Sequence, residues 1–165
     1  MQQSSRLRVH GRITAIEPEA TGAATTRVEV DSRESTAGGI SRLESPMTVY
    51  FFNPNYWPPF FTLLDRVWLS FEIYADSKSI TVANTRRVEF RAISNTDKCE
   101  YKMSGELFLW PKSGSRGSVY FDCGVPMLLT AGRDISGLAR TGSTIEISKG
   151  RIYGQVDRPS VYSMK

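Results

Sequence analysis

The sequence predicts an all-β protein built as two tandem five-stranded barrels. Three observations carry this. Apolar residues alternate with polar ones in short segments along the whole chain, no segment keeps a helical stripe, and the second half repeats the order of the first. Alternation with period two sets successive side chains on opposite faces of a half-buried strand. A single larger β-sandwich or jelly roll would show the same alternation and is the alternative architecture.

Taken in order, "RLRVHGRITAIEP" (6–18) is a long first strand with a glycine in its middle. In "TTRVEVDS" (25–32), Val28 and Val30 alternate with Arg27, Glu29 and Asp31, which makes a second strand. The polar "DSRESTAGGISRLESP" (31–46) reads as a long hairpin loop. "PMTVYFF" (46–52) is a third strand, with Met47, Val49 and Phe51 on one face and Tyr50 and Phe52 on the other. "NYWPPFFTLLD" (55–65) is the best helix candidate, since proline suits a first helical turn. Its Phe60 and Phe61 are expected to plug the open end of a barrel. "DRVWLSFEIY" (65–74) sets Val67, Leu69, Phe71 and Ile73 inward against an outward Trp68, Ser70, Glu72 and Tyr74. "SITVANTRRVEFRAI" (79–93) supplies the last strand of this half.

The series then starts again. "VHGRITAIEP" (9–18) is echoed by "MSGELFLWPK" (103–112), with Gly11 matching Gly105. "TRVEVDS" is echoed by "GSVYFDCG" (117–124), aligning Val28 with Val119 and Asp31 with Asp122. "PM" recurs at 46–47 and 126–127. "LLDRVWLSFEIYA" is echoed by "RTGSTIEISKGRIYG", where Val67 and Leu69 match Ile145 and Ile147. Four echoes in the same order predict a duplication: a first domain over residues 1–95, a second, abbreviated one over 96–165, and a polar linker around 91–100. "GQVDRPSVYSM" (154–164) is the only material left for the last strand of the second copy.

This plan resembles the five-stranded Greek-key barrel of the OB-fold proteins. "DRVWL" and "GSTIEI", leading into the fourth strand, are similar to many such domains. So is a glycine in the first strand, which lets it bend across both halves of a barrel. The resemblance is one of pattern, and what it implies is binding of single strands. In such proteins bases stack on outward aromatic side chains while Lys and Arg follow the phosphates. The candidates in the first half are Tyr50, Phe52, Trp57, Trp68 and Tyr74, interleaved with Arg12, Arg27, Lys78, Arg86 and Arg87. Those in the second half are Trp110, Tyr120 and Tyr153 with Lys112, Arg116, Lys149 and Arg151. "PKSGSRGS" (111–118) takes the place of the loop that flanks the binding groove in OB-folds.

Composition agrees with a folded chain, at 40% hydrophobic and 11% aromatic among 165 residues. The net charge is +4: residues 1–95 hold 11 basic and 10 acidic side chains, and residues 96–165 hold 10 and 7. The excess is compatible with a polyanionic partner without requiring one. Catalytic chemistry is not expected. His10 is the only histidine, which removes His-based metal clusters and leaves a Ser–His–acid triad without a well-placed base. There is no phosphate-cradling or dinucleotide motif, so neither a metal nor a cofactor is expected. Cys99 and Cys123 read as reduced thiols of an intracellular protein, cytoplasmic or nuclear. No apolar run approaches the roughly 20 residues that cross a bilayer, so no membrane partner is expected.

The expected partner is therefore single-stranded DNA or RNA. The alternative is a β-domain adaptor or subunit whose exposed aromatics, "NPNYWPPFF" above all, form an interface with another protein or a second copy.

Overall fold

The computed structural model describes residues 6–36, 38–54, 61–93, 96–109, 118–131 and 141–157. Among them the regular structure is all β, apart from one 3-10 turn at Ser77–Ser79. The strands are β1 (Val9–Pro18), β2 (Ala24–Glu34), β3 (Ile40–Asn53), β4 (Arg66–Ala75), β5 (Ile80–Val82), β6 (Glu89–Ala92), β7 (Glu100–Leu109), β8 (Ser118–Asp122), β9 (Pro126–Ala131) and β10 (Thr144–Val156). They form two compact units, Met1–Ser70 with Gly154–Lys165, and Phe71–Tyr153. The chain of β4 and of β10 passes from one unit to the other.

In the first unit β1 pairs antiparallel with β2 and with the start of β4, and β2 pairs with β3. β3 neighbours β10, and β10 pairs with β4. Within this unit the Asp157 backbone N–H donates to the Trp68 carbonyl at 2.8 Å. The neighbours therefore run β1–β2–β3–β10–β4 and back to β1, a β-barrel-like ring. Val9, Ile13, Val28, Val49, Phe51 and Leu69 fill it and are fully buried. Each such side chain contributes about 1.5–3 kcal/mol by leaving water. Gly154 brings β10 against the Phe51 ring, where a side chain would not fit.

In the second unit β7 pairs with β8 and β10, and β8 pairs with β9. β9 runs parallel to Glu72–Ala75 of β4. The ring is β7–β8–β9–β4–β10, the same order with the parts of β4 and β10 exchanged. Ile73, Met103, Leu107, Phe121, Leu129 and Ile147 form its core. The short strands β5 and β6 attach to β10 and β7.

The alternation in β4 is as the sequence indicates: Val67, Leu69, Phe71 and Ile73 are buried. Ser70 is buried too, against expectation. The expected loop over 31–46 is largely strand, because Ser32, Arg33 and Glu34 pair with Arg42, Ser41 and Ile40. Both faces of that ladder are solvated, so its residues need no apolar alternation. Phe61 is buried as expected, but residues 61–65 form a turn instead of a helix, and residues 55–60, with Phe60, lie outside the described residues. The stretch 79–93 holds two short strands of the second unit in place of a closing strand for the first. The division at residue 95 falls between β6 and β7, within the second unit. Each fourth strand runs on to become the last strand of the other ring, which no local pattern announces.

Candidate nucleic-acid interface

The outer face of β2 and β3 in the first unit is set by alternation. Val28 and Val49 point into the core, so Arg27 and Tyr50, direct cross-strand partners, point outward. The Arg27 guanidinium carbon lies 5.7 Å from the centre of the Tyr50 ring. Its Nη1 donates to Tyr50 Oη at 3.2 Å, and its Nε donates to Thr14 Oγ1 on β1 at 2.8 Å. Phe52, half-buried, continues the same face of β3. On the neighbouring β1, Arg12 is exposed and faces Glu29 across the ladder. Neither side chain has an ion pair among the described residues.

The outer face of β1 and β4 carries a second cluster. Trp68 is the cross-strand partner of His10, with ring centres 4.6 Å apart, and the Arg8 guanidinium lies over the Trp68 ring at 4.8 Å. Half-buried Trp68 is thus covered by two neighbours. Arg66 Nη2 donates to Asp31 Oδ2 at 2.7 Å and to His10 Nδ1 at 3.2 Å, which puts the imidazole proton on Nε2. Burial and then the Arg66 charge hold the His10 pKa below its ordinary value, opposed by Asp31. Burial raises the Asp31 carboxyl, but its hydrogen bond to Arg66 and the Arg66 charge bring it below the usual carboxylate range. Arg8 is held by Glu34 at 2.9 Å and Asp157 at 3.0 Å. With Ser35, Thr36 and Ser70 these three line a polar cleft of about 590 Å³.

In the second unit, Tyr74 and Tyr153 meet edge to face with ring centres 4.8 Å apart. Arg151 donates to Tyr153 Oη at 2.8 Å and pairs with Asp97 at 2.9 Å. Tyr74, 47% exposed, leaves much of its ring open. The remaining candidates do not join these clusters. Lys78 is exposed in the 3-10 turn. Arg86 pairs with Glu106, Arg87 with Glu89 and Glu146, and Lys149 with Glu100. Tyr120 is only 5% exposed and lies beside Phe108, so its ring offers no platform. Trp57, Trp110, Lys112 and Arg116 lie outside the described residues.

Sequence reasoning missed Arg8, Thr14 and Arg66. Their signal was parity: Arg8, His10, Arg12 and Thr14 alternate with buried Val9, Gly11 and Ile13, and Arg66 shares the parity of Trp68 on β4. Among the described residues there is no cluster of three His, Cys, Asp or Glu side chains that could hold a metal. No helix there is long and apolar enough to cross a membrane. No protein-family model matches the chain, and no curated protein or solved structure is significantly similar to it.

Proposed function

We propose that this is a non-catalytic protein that binds single-stranded nucleic acid, with its two units acting as OB-like barrels. The carrying observation is the row of Arg27, Tyr50 and Phe52 on one outer sheet face, where the cation has no carboxylate partner among the described residues. Aromatic faces accept any base, and a neighbouring cation attracts the phosphate between bases. The neighbour order β1–β2–β3–β10–β4 supports the OB-like reading, because strands two and three of that barrel form its oligonucleotide face. β2 and β3 hold those places. Cys99 and Cys123 are buried in the second unit, and an intracellular setting is part of this reading.

The test compares oligothymidine binding by the wild type and by the Tyr50→Ala, Phe52→Ala double variant. A stack contributes about 1–3 kcal/mol, so the variant should bind at least about tenfold more weakly. Equal binding would remove this face from the reading.

A second reading, a protein-binding or self-associating subunit, is favoured by a different set of residues. Val82, Val88 and Ile93 are all exposed along the β5–β6 stretch of the second unit. A solution molar mass above that of one chain, lowered by Val88→Ser, would support it.

A further inference from the structure

Resting on the nucleic-acid reading, we infer that Arg27 grips a phosphodiester of the bound strand and that Thr14 is the residue that aims it. A guanidinium carries five N–H donors. Three are committed inside the first unit: Nε donates to Thr14 Oγ1 at 2.8 Å, Nη2 to the Thr14 carbonyl at 3.2 Å, and Nη1 to Tyr50 Oη at 3.2 Å. Among the described residues one N–H is left without an acceptor on each terminal nitrogen. Two such donors form the fork that holds two phosphate oxygens at once.

All three committed acceptors are neutral, so nothing within the cluster cancels the charge. Exposed Arg12 on β1 also has no ion pair among the described residues, but six other arginines differ in this respect. Arg8, Arg66, Arg86, Arg87, Arg91 and Arg151 each have a carboxylate oxygen at 3.0 Å or less. A phosphate reaching any of these competes with a carboxylate. At Arg27 no carboxylate among the described residues has to leave.

The side chain is also held before the ligand arrives. Thr14 anchors one edge of the guanidinium through its hydroxyl and its carbonyl, and the Tyr50 hydroxyl steadies another nitrogen. A donor fixed in this way loses little rotamer freedom on binding. With Tyr50 as its cross-strand partner and Phe52 two residues along β3, a phosphate at Arg27 sets the adjoining base beside an aromatic face. Thr14 does not reach the strand itself. It is a positioning residue.

The experiment is anisotropy of labelled oligothymidine between about 50 and 200 mM salt, where phosphate contacts show as a slope. Wild type, Arg27→Gln, Arg27→Lys, Thr14→Val and the Thr14→Val, Arg27→Gln double variant are compared after their melting curves show that each is folded. Arg27→Gln should lose about tenfold in affinity and about 0.7 in slope, the value of one phosphate on a single strand. Arg27→Lys should keep the slope while losing affinity, because an ammonium cannot form the fork. Thr14→Val should weaken binding in the wild-type background and leave the Arg27→Gln background unchanged. A structural role for Thr14 would lower binding in both.

Arg27→Gln with wild-type affinity and slope overturns the inference and leaves the nucleic-acid reading standing. Absence of wild-type binding removes both. Free phosphate is separated from strand phosphate by following the Arg27 Nε resonance at fixed ionic strength. It should shift with micromolar oligothymidine and stay still in millimolar inorganic phosphate; saturation by inorganic phosphate overturns the strand as the ligand.

Discussion

Gly11 of β1 and Gly105 of β7 hold the same place in their two units. Gly11 lies opposite Val67 and against the Glu29 carbonyl, and Gly105 lies opposite Ile145 and against the Asp122 carbonyl. A methyl group at either position would occupy the space of backbone in the adjoining strand. Gly11→Ala and Gly105→Ala should each destabilise by about 1–3 kcal/mol or more, the usual range for overpacking. Denaturant midpoints of the two variants measure this, and an unchanged midpoint for either would refute the tight crossing.

The same pairs show what could be read from the sequence. Val9 opposite Leu69 matches Met103 opposite Ile147, so the alignment of Leu69 with Ile147 describes a real correspondence. The Val28–Val119 alignment does not keep this register. The crossing carbonyls belong to Glu29 and Asp122, which displaces the second echo by two residues but preserves its inward face. Period two fixes which way a side chain points. It does not fix the partner strand, which is why the onward course of β4 and β10 was not legible. The site divides the same way. Arg27, Tyr50 and Phe52 were visible as outward residues, whereas the ion pairs of Arg86, Arg87 and Arg151 depend on cross-strand neighbours that alternation does not specify.

Leu64 sits in the turn before β4 with φ of 74°, a left-handed conformation unfavourable for a leucine. Its side chain is 64% exposed, so little packing offsets the strain. Asparagine tolerates this conformation better. Leu64→Asn should therefore raise stability by about 1 kcal/mol, seen as a higher melting temperature. A lower melting temperature would show that the side chain contributes more than its exposure suggests.

His10 should titrate below its ordinary pKa, since burial and the Arg66 charge both oppose its protonation. Between the folded and unfolded pKa values the unfolded chain binds more protons, so stability falls as pH drops from about 6.5 toward the folded value. Above that window the contribution is fully present. NMR titration of the imidazole checks the direction, and His10→Gln should flatten the acid-side loss in melting temperature. A pKa at or above the ordinary value would contradict the Arg66–His10 hydrogen bond.

Glu29 is an exposed carboxylate on this face, opposite Arg12 in the ladder and two residues from Arg27. Its charge repels a phosphate held at Arg27. Glu29→Gln should tighten oligonucleotide binding by about two- to fivefold at low salt, with the gain shrinking as salt screens the repulsion. Weaker binding by the variant would place the strand elsewhere.

The most direct measurement is the affinity of the unaltered chain for unstructured oligothymidine as salt is raised. Counterion release predicts a linear fall of log affinity with log salt, by about 0.7 for each phosphate contacted. Binding at micromolar oligonucleotide in low salt, with a slope of at least that size, is the result expected of aromatic and basic residues on an OB-like face. No change in anisotropy under those conditions, or binding indifferent to salt, would contradict it.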